Sequence, residues 1–109
     1  MRNYSVWSLL LIAIAAGVGE EILFRGFLQD AVATLSSNSN AKLLALAMSA
    51  LLFGACHWMT NTYGVITVLM GLYLGALLYW TDSLLVPIVA HAAYDFLALL
   101  YLVKCKLAD

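Results

Sequence analysis

At 109 residues the chain has the length for a single domain covering 1–109. Apolar residues make up 65% and charged residues 10%, against roughly 25% charged in a soluble domain, and mean hydropathy is +0.98. Such a chain lacks the polar surface to cover a soluble core, and its net charge of −1 excludes a basic face for nucleic acid.

The first hydrophobic segment runs from about Tyr4 to Ala33, long enough to cross a ~30 Å hydrocarbon core with tilt. Its start resembles a secretory signal peptide, with Arg2, an apolar run from Val6 to Ala16, and small residues at Ala13, Ala15 and Gly17. Apolar character continues through Ile22, Leu23, Phe24, Phe27 and Leu28, and cleavage near Gly17 would expose Glu20 and Glu21 at a new terminus. A retained first helix is therefore expected. A polar break from Thr34 to Lys42 precedes the second segment, Leu43 to Trp58, which closes at Met59–Gly64. The third covers Val65 to Trp80 and closes at Thr81–Ser83; the fourth runs from Leu84 to Val103.

The expected fold is thus an all-α membrane protein, a bundle of about four transmembrane helices. The second and third segments are short for spans and require local thinning or flanking aromatics. Trp7, Trp58, Tyr63 and Tyr101 fall near one interface, and Tyr79 and Trp80 near the other, as an aromatic belt requires. Small residues four apart (Ala13 and Gly17, Ala50 and Gly54, Gly71 and Gly75) predict close helix approach. These pairs report packing, not chemistry. Cys56, in an apolar run, is expected to be a small core residue, and Cys105 an inert thiol beyond the last span.

Four spans put both termini on one side. That side holds Arg2, Lys104 and Lys106, whereas Lys42 on the other is offset by Asp30 and Asp82. The positive-inside rule then predicts a multi-pass protein of the cell membrane with cytoplasmic termini.

Ionisable side chains inside spans are costly and mark function by default. Glu20, Glu21 and Arg25 lie in the first segment, His57 ends the second, and His91 and Asp95 lie in the fourth. Glu21 and Arg25 are four apart and can pair on one helix face. Glu20 points about 100° away, has no such partner, and is free to act as a general base. Asp95, four after His91, can fix the imidazole tautomer. Phe53 shares a face with His57 and can wall its pocket. Counted at ~1.5 Å per residue, Glu20, His57, His91 and Asp95 all lie within the membrane rather than at opposite surfaces. Each has a bland reading as well: Arg25 snorkelling, His57 as an interfacial residue beside Trp58, Asp95 bonding a neighbouring helix. Together the set is hard to explain as packing.

Three motifs stand in order: Glu20-Glu21-Ile22-Leu23-Phe24-Arg25 (E-E-x-x-x-R), Phe53-Gly54-Ala55-Cys56-His57 (F-x-x-x-H) and His91-Ala92-Ala93-Tyr94-Asp95 (H-x-x-x-[N/D]). Their order and spacing resemble the CAAX prenyl endopeptidase and Abi family of intramembrane proteases, the CPBP family. The resemblance implies peptide-bond hydrolysis within the membrane, with Glu20 activating a water, aided by His57, and His91 and Asp95 stabilising the oxyanion. It implies a membrane-associated or lipidated protein or peptide as substrate, among membrane lipids and with no nucleic acid. Asp95 stands where asparagine is commoner in the family, and longer members carry extra helices.

Three other readings compete. Glu20, His57 and His91 also form a ligand set for Zn²⁺ with an open water position. The chain lacks H-E-x-x-H, and catalysis by glutamate without a required cofactor is the preferred expectation. A non-catalytic immunity or partner-binding protein would use the cluster for recognition. A proton-linked transporter would use it as a relay, although no inverted repeat supports that.

Overall fold

The computed structural model describes residues 5–36 and 39–108, with side chains through Cys105. Four helices follow one another: α1 (Val6–Leu35), α2 (Ala41–Cys56), α3 (Asn61–Thr81) and α4 (Leu85–Ala108). Among the described residues there is no strand. Helices α1, α3 and α4 are long and apolar enough to cross a membrane, and α2, with 16 residues, is a shorter apolar helix.

Exposure is arranged as lipid demands. Large apolar side chains point outward, Trp7, Phe27, Leu11 and Trp80 among them, while Glu21, Arg25, Gln29, Ser49, Thr67 and His91 are buried. A water-soluble domain has the opposite preference. This is an all-α membrane bundle.

The closest helix pairs are α1 with α4 and α2 with α3. Gly17 packs on Ala92, so close that a Cβ there would lie 3.0 Å from the alanine Cβ. A Cβ on Gly54 would come 2.1 Å from Val68 Cγ2, and one on Gly71 3.0 Å from the Ala50 Cα. The expected small-residue contacts are present on all three helices.

The helix ends depart from the expected boundaries. Thr60 caps α3 by accepting from the Tyr63 N–H at 3.1 Å, so Asn61–Gly64, expected as a loop, form its first turn. With 21 residues α3 spans without thinning. α2 stops at Cys56 rather than Trp58, leaving His57 as its C-cap. α1 reaches Leu35, and α4 runs beyond Val103. Asp82 closes α3 in a left-handed conformation (φ 52°), its N–H donating to the Leu78 carbonyl at 2.8 Å. Pro87 lies in the first turn of α4 and is buried, where its missing N–H costs least. Cys56 faces outward and is exposed, as is Cys105; the expectation of a core Cys56 fails because the helix turns its Phe53–Gly54 face inward instead.

Within α1, Ile22–Gln29 form a π-helical segment. Every fourth residue of an α-helix runs ahead of the axis by about 40°, and the wider π turn takes that drift back. Ala13, Gly17, Glu21, Arg25 and Gln29 thus stay on one buried stripe. The Ser49 hydroxyl donates to the Phe24 carbonyl within this segment at 3.1 Å.

Candidate active site

The π segment brings its polar stripe against α3. Arg25 Nη2 donates to the Gly71 carbonyl at 2.8 Å, and Gln29 Nε2 to the Gly75 carbonyl at 3.3 Å. Glycine at both positions leaves these carbonyls reachable; a Cβ on Gly75 would lie 2.6 Å from Gln29 Oε1. The small pair expected to report packing alone therefore also accepts two buried hydrogen bonds.

Arg25 Nη1 donates to Glu21 Oε2 at 2.9 Å, with both side chains fully buried. The same carboxylate oxygen lies 2.7 Å from His91 Nδ1 on α4. Sequence spacing paired Glu21 with Arg25 and His91 with Asp95; it did not join the pairs. Glu21 is the link, 70 positions from His91.

Around the other imidazole nitrogen lie two more carboxylates. His91 Nε2 is 3.1 Å from Glu20 Oε2 and 3.3 Å from Asp95 Oδ2. Glu20 Oε1 is 3.4 Å from His57 Nε2. His57 is held from behind, its Nδ1 2.7 Å from the Phe53 carbonyl. A carbonyl only accepts, so Nδ1 carries the hydrogen and Nε2 is the atom turned to Glu20. The four residues expected as a catalytic set are thus gathered at one place.

Phe53 does more than wall one histidine. Its ring lies 4.4 Å from the His57 ring and 5.7 Å, edge-on, from the His91 ring, centroid to centroid. The Arg25 guanidinium sits 4.7 Å over the same ring. One buried aromatic thus touches Arg25 and both histidines of the cavity.

That cavity, about 130 Å³, is lined by Glu20, Phe53, His57, His91 and Asp95, and also by Tyr63, Thr67, Met70 and Tyr94. The latter four were not anticipated. Tyr63 was hidden because a tyrosine near a span end reads as an interfacial anchor, and Tyr94 because it stands mid-span at an unspecified position of the His91–Asp95 motif. Glu20 and His57 are partly exposed, at 33% and 26%, whereas His91 is nearly buried. Among the described residues no group of three His, Cys, Asp or Glu side chains is arranged to hold a metal ion.

A lipid-facing helical bundle with Glu20, Asp95, His57 and His91 on one internal cavity defines an integral membrane protein with a polar site between its helices. The chain belongs to the Rce1-like family of type II CAAX prenyl endopeptidases, whose model matches residues 2–97. Membership places it among intramembrane proteases of the CAAX type, which act on prenylated membrane-protein substrates. No curated protein and no solved structure matches the chain.

Proposed function

We propose that the chain is an intramembrane endopeptidase in which Glu20 activates the hydrolytic water without a metal. The supporting observation is the placement of Glu20, whose two carboxylate oxygens face the Nε2 atoms of His57 and His91 on the wall of one cavity. Glu21 is already bonded to Arg25 and, as an ionised acceptor, fixes the hydrogen on His91 Nδ1. Nε2 of His91 is left facing two carboxylates, Glu20 and Asp95. A lone pair there would be repelled, so an ionised Glu20 and Asp95 hold His91 as the imidazolium, with an N–H aimed into the cavity.

The steps follow from those roles. Glu20 takes a proton as the water oxygen bonds to the scissile carbonyl carbon. The His91 Nε2–H donates to the oxyanion of the tetrahedral intermediate, and Asp95 keeps that imidazolium charged. Glu20 then returns its proton to the amine as the C–N bond breaks. His57, with its Nε2 3.4 Å from Glu20 Oε1, accepts from the second O–H of the incoming water and so holds that water beside the carboxylate.

An apolar groove of about 310 Å³ supports a lipidated or apolar substrate. It runs between α1 and α4 along Ile12, Ala16, Ala98 and Leu102, and shares Tyr63, Tyr94 and Asp95 with the catalytic cavity. A hydrocarbon chain lying in it would deliver its attached peptide to Glu20. The cavity is lined by His57 and Tyr63 beside the α2–α3 turn, on the side of the termini, and the positive-inside balance supports a cytoplasmic position for that side in a cell-membrane protein.

The test is hydrolysis of a farnesylated CAAX peptide by the purified chain in lipid nanodiscs. Glu20→Gln should lower the rate by about 10²- to 10⁴-fold with helicity unchanged. Undiminished cleavage by that variant would overturn the assignment. Loss of activity on chelation, restored by Zn²⁺ at about one ion per chain, would move Glu20, His57 and His91 to the role of metal ligands.

A further inference from the structure

A second polar cavity lies at the opposite end of the bundle. It measures about 300 Å³ and is lined by Arg25, Asp30, Lys42, Tyr79 and Asp82, among others. These residues come from the end of α1, the start of α2 and the end of α3, so it opens at the depth of lipid headgroups, away from the catalytic cavity. Nothing in the proposed hydrolysis uses it.

Its charges do not satisfy one another. Asp30, Asp82 and Lys42 form no ion pair with any described residue, although all three line one cavity. Lys42 instead lies 5.5 Å over the Tyr79 ring. Arg25 reaches the same cavity fully buried, with its Nε without a hydrogen-bond partner. A buried N–H on a cation is costly to leave unmet, and its other nitrogens are committed to Glu21 and Gly71.

The sum of charge selects the ligand. Arg25 is balanced by Glu21, which leaves one ammonium, Lys42, against two carboxylates, Asp30 and Asp82. A simple anion would be repelled, and a simple cation would leave Arg25 Nε and Lys42 unused. We propose that this cavity binds a zwitterion carrying a phosphate and a primary ammonium, the headgroup of an aminophospholipid. The phosphate accepts from Arg25 Nε–H and Lys42, and the ammonium donates to Asp30 and Asp82. A quaternary ammonium has no N–H to donate, and a glycerol headgroup has no cation. The position at the helix ends assigns the source to the membrane rather than to a soluble phosphoamine.

Native mass spectrometry of the full chain, released from micelles containing equal phosphatidylethanolamine, phosphatidylcholine and phosphatidylglycerol, tests this. Phosphatidylethanolamine should be retained about tenfold over each of the others, a difference that one or two charged hydrogen bonds supply. The Asp30→Asn/Asp82→Asn double variant should bring that ratio close to one, with helicity unchanged. Asparagine tolerates the left-handed conformation at position 82. If the double variant does not assemble, Asp30→Asn alone, at an exposed position, decides, and should lower the ratio likewise. Equal retention of the three lipids by the unmodified chain would overturn the proposal, as would a preference that survives the substitutions. Displacement by free glycerophosphoethanolamine at concentrations equal to the lipid would overturn the membrane source.

Discussion

Glu21 Oε2 accepts from His91 Nδ1 at 2.7 Å and from Arg25 Nη1 at 2.9 Å, so one buried oxygen joins the first helix to the fourth. The two adjacent glutamates thereby divide their work: Glu21 is locked behind the imidazole, and Glu20 stands in front of it.

Exchanging either glutamate for glutamine should separate these roles. Glu21→Gln leaves the buried Arg25 charge uncompensated, a loss of about 3–5 kcal/mol, and removes the charged acceptor that orients the His91 ring. Glu20→Gln, at a partly exposed position, should change stability by less than about 1 kcal/mol, as partly solvated pairs do. Thermal unfolding in detergent, run beside the peptide assay, distinguishes them: the first variant melts early, and the second melts normally and is inactive.

His57→Gln should lower kcat by about 10²-fold or more with little effect on unfolding, since His57 touches Glu20 and the Phe53 carbonyl at the cavity mouth. An unchanged kcat would remove His57 from the hydrolytic set.

Asp95→Asn should keep activity within about tenfold, whereas Asp95→Leu should lose about 10²-fold, the scale of one oxyanion donor. The carboxylate acts on His91 Nε2 at 3.3 Å, and an asparagine amide placed there can donate to the oxyanion itself. Single-turnover cleavage rates for the two variants check the ordering; an inactive Asp95→Asn would mean that the negative charge is indispensable.

Gly75→Ala places a Cβ 2.4 Å from Leu46 Cδ1 and 2.6 Å from Gln29 Oε1. Overpacking of this kind costs about 1–3 kcal/mol. Gly19→Ala meets nothing within 4 Å and should stabilise α1 by up to about 1 kcal/mol through helix propensity. Opposite shifts in melting temperature for the two variants are the expected result, and equal shifts would contradict the packing described.

Most of the bundle was legible because lipid leaves so strong a mark on composition. The four hydrophobic segments became four helices, and the motif spacing singled out Glu20, His57, His91 and Asp95, which do meet. The start of α3 was missed because Asn61, Thr62 and Gly64 have loop-like chemistry; what turns them helical is the Thr60 cap. The π segment was invisible, since no residue type encodes it and its carbonyls and side chains are met by partners on other helices. The Glu21–His91 bond had a usable signal. Glu21 continues the four-residue stripe of Ala13 and Gly17, and Gly17 packs on Ala92, beside His91.

The two donor–acceptor pairs between α1 and α3 share one rhythm: Arg25 with Gly71, Gln29 with Gly75. Sliding either helix by four residues, about 6 Å, would bring Arg25 to Gly75 but Gln29 to Tyr79, or Gln29 to Gly71 but Arg25 to Thr67. Only one alignment gives both donors a bare glycine carbonyl. The joint is keyed, so displacement along it is stepped rather than gradual. The depth of Glu20 in the membrane is thereby held by two glycines on another helix, neither of which touches it.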